Sequence, residues 1–388
     1  MLTAIKERLI QRVDGLSPLL ISLAKEIHKK PELAFEEYFA SQLLTSALEK
    51  YGFKIETGIA GLETAFRAVY QKGDSRPAIG FLAEYDALPE VGHGCGHNLI
   101  GPASIGAAIA LSQADIKGRI VVVGTPAEEK GGGKVILAKK GIFNDLDAAM
   151  MVHPSNDTEV VKRSLAAIDV TVEYSGRPAH AAASPWKGIN ALDALIMAYN
   201  NISALRQQLR PDVRIHGIIT NGGAAPNIIP AYTSGIFLVR ALQMKDAKKV
   251  LEKVKECFAA AAKATGAKVK ITVGENAYEA FRPNYPLSEA FRKNLLSLGI
   301  RLKKEDEYKE LGSSDVGNVS QIIPTLHPNL DICHKQIPHH TLEFKEMACS
   351  ESGMKGMIVA AKAMAMTAAD IILDKELLKR MKGPHRKI

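Results

Sequence analysis

Pro77-Ala-Ile-Gly-Phe-Leu-Ala83-Glu84-Tyr85-Asp86 is a short apolar run that ends in acidic residues. Gly92-His93-Gly94-Cys95-Gly96-His97-Asn98 follows six positions later. A short apolar run bounded by turn formers reads as a buried strand. Glycines permit the sharp bend that lets Cys95 and His97 face a common point. Pro102 suits the first turn of a helix over Ala103–Ser112. Gly118-Arg-Ile-Val-Val-Val-Gly124 is a second strand, apolar enough to be buried on both faces, and it ends in Thr125-Pro126-Ala127-Glu128-Glu129. A helix over Gly132–Lys140 and a third strand over Asp147–Val152 follow, the latter ending at His153. Strands alternating with helices predict an α/β domain, an open and mostly parallel sheet with helices on both faces.

The pattern changes after about Ser164. A strand over Ala166–Tyr174 leads to an amphipathic helix over Gly188–Leu209. Its apolar face is read as Ile189, Leu192, Leu195, Ile196, Tyr199, Ile202 and Leu205. Strands over Arg214–Thr220 and Thr233–Leu242, a helix over Asp246–Thr265 and a strand over Lys268–Gly274 complete the segment. This order is a split βαβ arrangement, read as an inserted ferredoxin-like α+β lid domain. The expected division is 1–164 with 280–388, and 165–279. A long Ala- and Met-rich helix is expected near Thr341–Leu378.

The chain has 388 residues, 46% of them hydrophobic, and a mean hydropathy of −0.02, which fits about two domains. No apolar run reaches the roughly 18 residues of a membrane span, and the first residues lack the apolar core of a secretion signal. Cys95, Cys257, Cys333 and Cys349 are too scattered for a disulfide framework. Cytoplasmic residence is the resulting expectation. The net charge of +8 lies partly in the tail Lys375–Ile388, and no basic stripe alternates with aromatics, so nucleic acid is not an expected partner. Trp186, after Ser184-Pro185, reads as a packing anchor. His216, within a strand, reads as a packing or interface residue.

Asp86, Cys95 and His97 follow one strand, Glu128 and Glu129 the next, His153 a third. Open α/β sheets build their sites at the carboxyl ends of strands. Thiolate, imidazole and carboxylate are ligands for zinc or a similar metal. Cys95, His97, Glu129 and His153 supply four ligands and a late histidine a fifth, enough for a pair of ions about 3.5–4 Å apart sharing a water. Adjacent glutamates on extended backbone diverge, so one binds metal while the other carries a proton.

These residues carry a resemblance. The chain resembles the M20 metallopeptidases and amidohydrolases, subfamily D, over essentially its whole length. The matching stretches are His28-Lys-Lys-Pro31-Glu32-Leu33, Glu84-Tyr-Asp86-Ala-Leu-Pro89, Gly92–Asn98, Pro126-Ala-Glu128-Glu129, Met151-Val-His153-Pro154, Gly176-Arg-Pro-Ala-His180, Ala225-Pro-Asn227-Ile-Ile-Pro230 and His340-Thr-Leu-Glu-Phe344. Glu84-Tyr-Asp86, Asn98 and Gly312-Ser-Ser-Asp315-Val-Gly-Asn318 make it most similar to the subgroup of aminobenzoyl-glutamate hydrolase subunits and M20 dipeptidases. The resemblance implies a zinc-peptidase-like catalytic domain holding two divalent ions, Zn, Mn, Co or Ni. It implies Cys95, His97, Glu129, His153 and His340 as ligands, with His339 the rival of His340, and Glu128 as general acid/base. It also implies Asp86 as support for the site, His180 as the group that polarises the scissile carbonyl, often across a dimer interface, and Asn227 and Arg240 as holders of the substrate carboxylate. Asp315 and Asn318 line the pocket or cap a helix. Leu342 departs from the family pattern, where proline is more usual.

The expected activity is hydrolysis of the amide bond of small dipeptides or N-acyl amino acids bearing a free carboxylate, by a metal-activated water. The lid is the expected surface for a homodimer. The alternative is a catalytically silent metal-binding partner of the same fold, which would be free to lose Glu128. This chain keeps it.

Overall fold

A computed structural model describes residues 2–302, 311–333 and 335–383. The last five residues of the basic tail lie outside the described residues. The chain divides into two compact units. One comprises Met1–Arg163, Phe281–Glu310 and Ser314–Ile388, the other Ser164–Ala280 with Leu311–Ser313.

The first unit holds a six-stranded sheet in the spatial order Lys54–Thr57, Phe66–Lys72, Gly118–Gly124, Ala78–Ala83, Ala148–Met150 and Thr325–Leu326. The first two pairings are antiparallel and the remaining three parallel. Alternation along Gly118–Gly124 sends Ile120 and Val122 into one hydrophobic cluster and Val121 and Val123 into another, on the opposite face. This explains the unbroken apolar run. Helices Leu2–Lys29, His97–Ser112 and Glu351–Leu373 pack against one another over the first face.

Glu351–Leu373 is long and apolar enough to cross a membrane, but most of it is buried as a core helix. The single terminal helix expected from composition is three: Leu342–Cys349, Glu351–Leu373 and Lys375–Lys382. Ser350 and Asp374 break it, because their side chains accept amides of the following turns and act as N-caps.

The helix expected over Ala103–Ser112 begins earlier, at His97, with Gly96 in the left-handed region (φ 80°) as its N-cap. Pro102 therefore lies inside the helix rather than in its first turn. The early start places His97 in the first turn, on a rigid element. His153 does not end the third sheet strand, which spans Ala148–Met150. It opens the strand His153–Ser155, paired in parallel with Asn329–Asp331.

The second unit is a four-stranded antiparallel sheet in the order Lys268–Val273, Ala166–Ser175, Tyr232–Ala241, Arg214–Asn221. With helices Ala191–Arg206 and Met244–Thr265 it is the split βαβ arrangement. The first helix buries Ala191, Ala194, Leu195, Ala198 and Ile202, whereas Ile196 is 44% exposed and leaves the expected apolar face. Trp186 is 75% exposed, not a packing anchor, because the 3-10 turn Pro185–Lys187 that carries it contributes no buried residue. His216 is exposed on the edge strand.

Candidate metal centre and active site

Cys95 lies in the turn before helix His97–Ser112, and His97 opens that helix. Three groups of side chains bring their ligand atoms within 4.8 Å of one another: Cys95 with His97 and His153, Cys95 with Glu129 and His340, and His97 with Glu128 and Glu129. The groups overlap, so the first unit gathers all the ligands inferred from sequence, with Glu128 among them.

The tautomers of two histidines are fixed by their partners. His97 Nδ1 lies 2.9 Å from Asp86 Oδ1, and a carboxylate only accepts, so Nδ1 donates. His97 Nε2 is buried without a hydrogen-bond partner and 3.7 Å from Glu84 Oε2. His153 Nδ1 donates to Pro154 O at 2.7 Å, and its Nε2 faces Cys95 Sγ at 3.5 Å. Both rings thus turn Nε2 inward, as ligating histidines do. Glu129 Oε1 is likewise buried without a hydrogen-bond partner, 3.5 Å from His340 Nε2. These unpartnered buried atoms, an imidazole nitrogen and a carboxylate oxygen beside a thiol, are the donor set of a divalent cation.

His340 has φ 65°, unusual for a non-glycine residue, and its amide donates to Gly94 O at 2.9 Å. That bond ties the late histidine to the glycine turn, where a side chain at Gly94 would stand 3.4 Å from His340 Cα. His339 also approaches Cys95, with Nδ1 3.9 Å from Sγ and its ring stacked on Phe344.

Electrostatics follow from burial. Burial pushes the Cys95 thiol up to about 12, with Glu129 and Glu128 adding to the rise. A cation is what would make it a thiolate. Burial disfavours a charged His97, but Asp86 and then Cys95 outweigh it and hold its pKa well above the ordinary range. His153 lies well below its ordinary value through burial and then the Lys162 charge. Glu128 is raised well above the carboxylate range by burial, then by Glu84, Asp315 and Glu129.

Several residues were not legible from sequence. Lys134, fully buried on helix Gly133–Lys139, pairs with Glu84 and, at 2.6 Å, with Asp315. Asp315 makes no side-chain cap to its own helix, Val316–Ser320. It binds Lys134 instead, so of the two expected roles the helix cap does not hold for Asp315. His327 is 3% exposed, its Nε2 has no hydrogen-bond partner, and its ring centroid lies 5.9 Å from that of His153. Glu37, fully buried, is raised to about 7 by burial and then by Asp86. Only its place after the Pro31-Glu32-Leu33 stretch hinted at it.

The second unit brings His180 and Asn227 together. His180 bridges Ile228, Ala181 N donates to Asn227 O at 3.0 Å, and both side chains are exposed. His180 Nδ1 accepts from Ala183 N at 3.1 Å, so the neutral ring carries its proton on Nε2, ready to donate. Arg240 stands near the end of strand Tyr232–Ala241, opposite Ala167 on one neighbouring strand and Arg214 on the other. Arg240 Nη1 lies 3.3 Å from Ser313 Oγ.

A model of the peptidase dimerisation domain matches residues 163–266. The chain is 41% identical to a human Xaa-Arg dipeptidase over 97% of its length and 91% of that protein. It is 29% identical to one of the subunits of p-aminobenzoyl-glutamate hydrolase from Escherichia coli K12, over 94% and 92%. Its fold matches a dinuclear metal binding peptidase of the M20 family from Bacillus subtilis with a TM-score of 0.70, at 20% identity, over 93% of this chain and 99% of that one. The chain belongs to the M20 family of metallopeptidases and amidohydrolases. It is a hydrolase of that family.

Proposed function

We propose that the protein hydrolyses the amide bond of small dipeptides or N-acyl amino acids that carry a free carboxylate. The names of the human and E. coli relatives point to this class, since both an Xaa-Arg dipeptide and p-aminobenzoyl-glutamate place an amide beside an amino acid. Cys95, His97, Glu129, His153 and His340 would hold two divalent ions, Zn, Mn, Co or Ni. When bound, such ions polarise a carbonyl and lower the pKa of water. Glu128 takes the proton of the attacking water and delivers it to the leaving amine, a task suited to a carboxylate whose pKa is raised. Asp86 keeps His97 in the tautomer that presents Nε2, and His180 Nε2–H stabilises the developing oxyanion.

The second unit supports a homodimer. Edge strand Arg214–Asn221 pairs on one side only. Its Ile218, 63% exposed, lies across from Ile236, 42% exposed, so both project from the same face of the sheet. Cytoplasmic residence remains part of this reading, supported by the scattered free cysteines.

The observation that carries the proposal is the convergence of Glu128 with three overlapping ligand groups. Purified protein supplied with Mn, Co or Zn should cleave members of a panel of dipeptides and N-acyl amino acids. Glu128→Gln should keep its metal and lose about 10³-fold in kcat. Full activity in that variant would sink the mechanism.

A further inference from the structure

The segment Pro126–Gly132 carries Glu128 and Glu129 and has no helix or strand of its own. Buried carboxylates from three distant parts of the chain hold its backbone and the start of the helix that follows. Ala127 N donates to Glu37 Oε1 at 2.8 Å, Glu129 N to Asp86 Oδ2 at 2.9 Å, and Lys134 N to Asp315 Oδ2 at 2.8 Å. Asp86 also faces His97, and Asp315 faces the Lys134 ammonium. Glu37 is different, because its carboxylate accepts from the Ala127 amide and, at 2.8 Å, from the Thr64 hydroxyl. Burying a carboxyl group on neutral donors is costly and needs a return elsewhere in the structure. The return is at Ala127, which has φ 61° and is followed directly by Glu128. A non-glycine residue in this region is strained and persists only where its surroundings fix it. Ala127 O accepts from Gly132 N at 3.0 Å, so the same residue closes the loop.

We infer that Glu37 is a positioning residue for the reaction: by holding Ala127 in its left-handed conformation it sets the aim of Glu128. This rests on the assignment of Glu128 as the proton carrier. Glu37 itself need touch neither substrate nor metal.

The test compares Glu37→Met, Glu37→Gln and Thr64→Val with Glu128→Gln as a control. Kinetics are measured on manganese-loaded protein, and amide hydrogen exchange of residues 125–133 on metal-free protein. Glu37→Met should lose about 10²-fold in kcat with little change in KM, as misaimed catalytic groups do, and exchange in the segment should speed up. Glutamine keeps an acceptor for Ala127 N, so Glu37→Gln should stay within about tenfold of the parent with slow exchange. Thr64→Val leaves the Ala127 bond intact and should behave likewise. Should Glu37→Met not fold, Glu37→Asp, too short to reach both partners, takes its place with the same expected direction. Unchanged kcat or unchanged exchange in Glu37→Met, or a loss in Glu37→Gln or Thr64→Val as deep as in Glu37→Met, overturns the inference. Full activity in Glu128→Gln instead removes the proton-carrier assignment, and the exchange data then judge the hold on Ala127 separately.

Discussion

The glycine turn of the first unit and the His180 loop of the second are both polar, histidine-bearing segments, but they are built in opposite ways. At the turn, His97 and the Asp86 that faces it are buried, and each is held by a charged or amide partner. At the loop, His180 and Asn227 are exposed, and backbone pairing fixes them. A cation site must be prepared before the ion arrives, because desolvated ligands left unpaired are expensive. A donor that meets substrate can stay in water until it is needed.

That contrast can be broken by substitution. The largest stability effect is expected at the turn. His97→Ala leaves the Asp86 carboxylate buried without its imidazole and should cost about 3 kcal/mol in the metal-free protein, measured by denaturant unfolding. It should also abolish metal retention. His180→Ala should change stability by less than about 0.5 kcal/mol and leave metal content intact, yet lower kcat about 10²-fold. Equal loss of metal in both variants would erase the distinction between the two regions. Next comes Ile218→Glu on the lid's exposed face, which should convert a dimer to a monomer by sedimentation without unfolding it. A parent protein that sediments as a monomer would refute the dimer outright.

The smallest effect is at Asp147. Burial alone would raise its pKa, but hydrogen bonds from Arg76, Lys382 and the Ala78 amide hold it below the ordinary carboxylate value. A depressed folded-state pKa contributes stability above the unfolded value near 4, and that contribution is lost as pH falls through the folded value. Asp147→Asn should therefore be less stable at neutral pH and lose less on acidification, read from thermal midpoints between pH 7 and pH 3.

Much of this was legible in the chain. Apolar runs at Ala78–Ala83 and Gly118–Gly124 announced strands, the second buried on both faces, and the polar residues directly after them had to share one edge of the sheet. The βαββαβ order of the lid was equally plain, because each element has its own period. Boundaries were less so. Pro102 suggested a helix start, but Gly96 in the left-handed region starts the helix six residues earlier, which is why His97 is rigid. Trp186 looked like core by composition and is exposed by geometry.

The sequence by itself determined the chemistry of the centre. Cysteine, histidine and paired glutamates are covalent facts, and strand ends bring them together by topology alone. Only the tertiary structure decided which nitrogen of His97 and His153 faces inward, that Asp315 serves Lys134, and that Glu37 holds Ala127 from 90 residues away. The reason is physical. Periodicity records which face of an element is buried, whereas a single hydrogen bond between distant segments leaves no period in either one.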